Sequence, residues 1–158
     1  MLANGERLTL REILELDLGQ ARLAVLSACE TGIPGTNLLD EVVSLPSGFL
    51  QAGVPGIIGS LWSVSDASTM MLMARFYDFW KIDNLDPPEA LRQAQIWLRD
   101  TTNGGKEDYF KQSLPEYAGT KMPEAAARKA LREVLQQDEL ARSYKHPYHW
   151  AAFGYTGM

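Results

Sequence analysis

The chain has 158 residues, 46% of them hydrophobic and 22% charged, enough to bury the core of one globular domain without disulfides or a structural metal. A formal charge of −5, with Lys and Arg scattered along the chain, excludes the basic stripe of a nucleic-acid-binding protein. One cysteine excludes an internal disulfide, and no apolar run is long enough to span a bilayer, so the expected setting is the reducing cytoplasm, away from membranes.

Residues 1–7 are polar and unlike a signal sequence. Arg7-Leu8-Thr9 leads almost at once into structured sequence, so the chain is expected to begin inside something longer. Thr9 and Glu12 have the spacing of a capping box. The short helix that follows turns Leu10, Ile13 and Leu14 or Leu16 inward and ends at Leu18-Gly19. Leu23-Ala24-Val25-Leu26-Ser27-Ala28 is a continuous apolar run, the pattern of a strand buried on both faces of a parallel sheet. Cys29-Glu30-Thr31-Gly32 follows at its C-terminal end, then the breaker-rich Ile33-Pro34-Gly35-Thr36-Asn37.

Ser44 is positioned to cap a second helix with Pro46 in its first turn. Phe49, Leu50 and Ala52 face inward there, and Gly53 stops it at the C′ position. Gly56-Ile57-Ile58-Gly59-Ser60-Leu61-Trp62 reads as a second buried strand, whose glycines signal close packing against the backbone. Ser65 or Asp66 caps the next helix, with an inward stripe of Met70, Met73, Ala74, Tyr77 and Trp80. Asp86 and Glu89 form another capping box around Pro87, and Ala90, Leu91, Ala94, Trp97 and Leu98 supply an apolar face. Gly104-Gly105 interrupts the pattern, leaving 106–122 irregular. Pro123 opens a helix with Ala127, Ala130, Leu131, Val134 and Leu135 on one side and Arg128, Lys129, Arg132 and Glu133 on the other. Trp150 to Tyr155 closes the chain as a last strand.

Strands separated by helix-length amphipathic segments define an α/β fold with helices on both faces of a sheet. Three strands leave an edge open, and the expected cover is another chain or a second copy of this one. Open α/β sheets form their sites beyond the carboxyl ends of the strands. Two strands deliver polar groups there: Cys29 after the first, and Ser60, Ser63, Ser65 and Asp66 after the second. A free cysteine is equally at home as a small buried apolar residue. Met70, Met71 and Met73 read as core filler. No Cys/His spacing suits a metal and no glycine-rich loop follows a phosphate-binding pattern, so no cofactor is expected.

Leu26-Ser27-Ala28-Cys29-Glu30-Thr31-Gly32 resembles the cysteine motif of CHAT domains, the caspase-like (clan CD) modules often attached to tetratricopeptide repeats. Leu8 to Ile13 resembles the helix before that motif. Ala52-Gly53-Val54-Pro55 with Gly59-Ser60-Leu61-Trp62-Ser63-Val64-Ser65-Asp66 resembles the next strand and turn. His146-Pro147-Tyr148-His149-Trp150-Ala151-Ala152-Phe153 is similar to the closing strand. The resemblance implies that residues 1–158 are the C-terminal portion of a CHAT domain: part of a three-layer α/β/α sandwich on a mostly parallel sheet. It implies a cysteine endopeptidase with Cys29 as nucleophile and the Cys29 N–H as one oxyanion donor.

The family's catalytic histidine lies in a His-Gly motif ahead of the cysteine, and no histidine precedes Cys29 in this sequence. The chain alone is therefore expected to be idle, and its implied partners are the upstream half of the domain or a repeat segment, together with a peptide or protein substrate. His146 and His149 match a turn without catalytic duty. A more distant similarity to separases implies that Asp66, besides its capping role, pairs with a basic P1 residue, with Ser60 and Trp62 beside it in the substrate-binding set. Glu30 and Thr31 read as turn residues. The alternative reading is a CHAT module without catalysis that acts by binding other proteins.

Overall fold

The computed structural model describes residues 9–26, 45–114 and 123–157. Among them are seven helices and a three-stranded sheet, an α/β fold as expected. The chain divides into two compact units, Met1–Ser63 with Phe153–Met158, and Val64–Ala152.

The first unit opens with α1 (Leu10–Leu14). Its capping box forms: Thr9 Oγ1 accepts from the Glu12 N–H at 3.3 Å, and Glu12 Oε2 accepts from the Thr9 N–H at 2.7 Å. The helix stops earlier than Leu18-Gly19, and only Ile13 is buried within it; Leu14 and Leu16 are both more than 40% exposed. One turn beyond the cap has too little apolar face to bury more.

The first strand, β1 (Ala24–Leu26), is shorter and less buried than its apolar run implies, since all three residues are half-exposed. In α2 (Leu45–Gln51), Pro46 occupies the first turn and is buried, while Phe49 and Leu50 are half-buried. Gly48 leaves room for Leu10 of α1, whose Cδ1 a Cβ at residue 48 would strike. The helix ends in a Schellman motif: the Gly53 N–H reaches Leu50 O and the Val54 N–H reaches Phe49 O, both at 3.0 Å. That turn needs the left-handed φ of 98° that Gly53 adopts. The proposed cap, Ser44, lies outside the described residues.

The second strand, β2 (Gly56–Ser60), is buried along its whole length. It pairs parallel with β1, and antiparallel with β3 (Phe153–Gly157) from Gly56↔Gly157 to Ser60↔Phe153. The sheet order is β1-β2-β3, so the sheet is mixed. Burying Ile57 and Ile58 at the centre is worth about 1.5–3 kcal/mol each.

The second unit is helical. In α3 (Asp66–Lys81) the buried face is Ser68, Met71, Leu72 and Phe76, not the stripe through Met70, Met73 and Tyr77. This helix is apolar on two sides, so periodicity alone does not choose between them; Tyr77 remains 43% exposed. α4 (Pro87–Asp100) buries Ala90, Leu91, Ala94 and Leu98 as read, with Pro87 at its start. Its expected capping box does not form. Asp86 makes no side-chain cap bond, and the Glu89 carboxylate, instead of reaching back to Asp86, is held by Arg92 and Gln93, each at 2.8 Å.

The double glycine does not break the chain. Gly104 and Gly105 sit in the first turn of α5 (Asn103–Gln112), where Thr102 Oγ1 accepts from the Gly105 N–H at 3.2 Å. Glycine costs little at a capped end, where few helical bonds depend on it. Pro123 does open α6 (Glu124–Leu135), which buries Ala127, Ala130 and Val134 and exposes Leu135. The closing strand begins three residues later than Trp150, because His146 and Pro147 start the short helix α7 (Pro147–Trp150). Among the described residues no helix is long and apolar enough to cross a membrane.

Candidate functional site

Because β1 and β2 are parallel, with Leu26 beside Gly59, both leave the sheet at one edge. Cys29 follows β1 by three residues and lies, with Glu30 and Thr31, outside the described residues. Ser60, the last residue of β2, is 1% exposed and stands opposite Phe153. Trp62, two residues on, is half-buried. Both belong to the first unit.

Asp66 opens the second unit's first helix. Ser65 is the N-cap: its Oγ accepts from the Ser68 N–H at 3.3 Å and lies 2.9 Å from Ser68 Oγ. Capping by Ser65 leaves the Asp66 carboxylate without that duty, and 91% of its side chain is exposed. It stands at the amide end of α3, where a negative charge gains about 0.3–1 kcal/mol. Lys129 of α6, whose side chain is 54% exposed, brings Nζ to 3.7 Å from Asp66 Oδ2. A carboxylate so placed can accept a guanidinium or ammonium group. In water such a pair is worth at most about 1 kcal/mol, and more once a ligand displaces the water.

Both histidines fall in the second unit. His146 is the N-cap of α7, its Nδ1 accepting from the Tyr148 N–H at 3.2 Å. His149 packs edge-on against Tyr144 and Tyr148, each at 5.3 Å between ring centroids. Burial, and then the neighbouring His146, lowers the pKa of His149.

Two clusters built on buried charges, Asp78 and Lys106, escaped the sequence reading. Arg75 in α3 bonds Asp78 Oδ2 at 3.1 Å, and the Tyr109 hydroxyl of α5 donates to the same oxygen at 2.8 Å. The guanidinium lies 4.3, 4.9 and 5.3 Å from the ring centroids of Phe79, Tyr109 and Trp97. Lys106 in α5 is fully buried and donates to Thr101 O, between the rings of Trp97 and Tyr144 at 5.6 Å each. Burial, then Arg142, pushes its pKa down to about 8. The spacing of Arg75 and Asp78 on one helix was the available signal for the first cluster. Nothing in the local pattern marks Lys106 as internal. Among the described residues no three His, Cys, Asp or Glu side chains gather as a metal site.

The model of the CHAT domain family matches residues 1–158. No curated protein and no solved structure matches the chain.

Proposed function

The chain belongs to the CHAT domain family, and we propose that it is the nucleophile-bearing part of a caspase-like cysteine endopeptidase that cleaves after a basic residue. The observation that supports this most directly is the parallel register of Leu26 with Gly59. It brings the exit of β1, three residues before Cys29, to the carboxyl edge of the sheet, where α/β folds build their sites.

In this reading the Cys29 thiolate attacks the scissile carbonyl carbon and forms the C–S bond. The oxyanion is received by backbone N–H groups, that of Cys29 among them. The C–N bond then breaks as a histidine gives its proton to the leaving amine, and water hydrolyses the thioester. The sequence holds histidine only at positions 146 and 149, so the base is supplied from outside residues 1–158. The Asp66 carboxylate receives the Arg or Lys side chain at P1.

The test is turnover of Arg- and Lys-ending peptide reporters by the natural polypeptide that carries residues 1–158. Cys29→Ala abolishes it, and Asp66→Ala weakens the preference for basic P1 about tenfold or more. Residues 1–158 alone show no cysteine-dependent turnover. Turnover that survives Cys29→Ala overturns the nucleophile assignment, and an unchanged preference overturns that of Asp66. A second reading, a module that binds proteins without cutting them, predicts no turnover in any form.

A further inference from the structure

The β2–β3 ladder contains two facing pairs of glycines, Gly56↔Gly157 and Gly59↔Gly154. Glycine inside a strand costs about 0.5–1 kcal/mol relative to alanine, so each pair calls for a reason. The first pair has one within the chain. The Tyr155 phenol lies over it, and a Cβ at Gly56 would come within 2.5 Å of Tyr155 Oη and 2.8 Å of Cε2. A Cβ at Gly157 would also come within 2.5 Å of the same oxygen. The ring rests on bare backbone that any side chain would lift it from.

The second pair belongs to the opposite face, since side chains alternate along a strand. Among the described residues no atom lies within 4 Å of where a Cβ on Gly154 would stand, and its φ is not positive. Neither crowding nor backbone conformation requires glycine at position 154. What stands over this pair is a cavity of about 130 Å³ walled by Pro46, Ile57 and Leu61, with Ser47 and Thr156 adding hydroxyls. A cavity of about 150 Å³ with apolar walls is known to admit one benzene ring.

We propose that this cavity binds one phenyl or phenol ring of a polypeptide ligand, seated on Gly59 and Gly154 as Tyr155 is seated on Gly56 and Gly157. A polypeptide is the source because Gly154 and Thr156 lie on β3, and the described sheet ends at β3. The outward N–H and C=O groups of an edge strand bond an extended peptide, while a pocket beside the edge takes an alternate side chain. The inference does not depend on Cys29 or on cleavage.

The probe is a capped pentapeptide of four alanines around a central phenylalanine, titrated into the ¹⁵N-labelled chain. Its all-alanine counterpart and N-acetylphenylalanine amide are the comparison arms. The phenylalanine peptide shifts the amides of Gly59, Gly154 and Thr156 saturably, and the alanine peptide does not. Gly154→Val fills the cavity where a side chain has room, and it weakens binding about tenfold or more with the melting temperature unchanged or raised. Gly154→Ala serves the same purpose should the valine lower the melting temperature. No saturable shift with the phenylalanine peptide, or equal binding to a folded filled variant, overturns the proposal. Stronger binding of N-acetylphenylalanine amide than of the peptide overturns the assignment to a polypeptide.

Discussion

Asp66 Oδ2 lies 3.7 Å from Lys129 Nζ across the gap between α3 and α6, with 91% of the aspartate side chain exposed. A pair so exposed contributes under about 1 kcal/mol to folding, because water already satisfies both charges. Lys129→Ala and Asp66→Asn should each leave the urea midpoint almost unmoved. That neutrality makes Asp66 a clean probe of recognition, and a large loss of stability in Asp66→Asn would show that the carboxylate serves the fold.

The Arg75–Asp78–Tyr109 cluster should behave in the opposite way. Tyr109→Phe removes one hydrogen bond to a charged acceptor and is expected to cost about 1.5–3 kcal/mol. Asp78→Ala leaves the Arg75 guanidinium enclosed by three rings without its carboxylate, and should cost about 3–5 kcal/mol. Thermal or urea unfolding checks both. Equal, small losses would mean that the rings alone hold Arg75.

Lys106 gives stability a pH dependence of known sign. Unfolded lysine keeps its proton to about pH 10.4, whereas burial brings the native group down to about 8, with Arg142 adding to the effect and Asp100 opposing it. Between those values the unfolded chain binds the extra proton, so stability rises with pH. Tyr109 and Tyr144 are shifted upward, chiefly by burial. Unfolded tyrosines ionise near pH 10, which turns the curve down beyond that point. Urea midpoints should therefore climb from about pH 8 to about pH 10, and Lys106→Met should flatten the climb. A wild-type curve that is flat or falling over that window would mean that Lys106 keeps its proton in the native state.

Gly53 tests the Schellman motif at the end of α2. At φ 98° a side chain is strained, and a Cβ would also stand 3.1 Å from Gly19 N. Gly53→Ala should cost upward of about 1 kcal/mol, whereas Gly154→Ala, where room exists, should not. Comparison of the two melting temperatures decides it.

Local rules carried the parts of the fold that depend on few residues. The Thr9–Glu12 box, the Gly53 stop and the Pro87 start each follow from backbone chemistry within one turn, and each forms. Where a neighbour competes, the local rule loses. Glu89 is taken by Arg92 and Gln93, and α3 turns Leu72 and Phe76 inward because both its faces are apolar. The Gly104-Gly105 helix was hidden because its cap, Thr102, precedes the glycines and its buried face is built on Lys106 and Phe110. Cys29 and Asp66 are candidates by strand-end placement and family resemblance. Lys129 beside Asp66 depends on how α6 packs against α3, which no spacing within either helix encodes. The glycines of β2 did announce a close approach, and Tyr155 of β3 supplies it at Gly56.

Covalent capture of Cys29 by a peptidyl electrophile ending in arginine tests the nucleophile and its P1 preference together. The natural polypeptide carrying residues 1–158 is labelled, and the adduct is located by mass spectrometry. A single adduct on Cys29 is expected, formed at least about tenfold faster than with an aspartate-ending analogue and slowed by Asp66→Ala. An adduct elsewhere, or a rate on Cys29 indifferent to the terminal residue, contradicts that expectation.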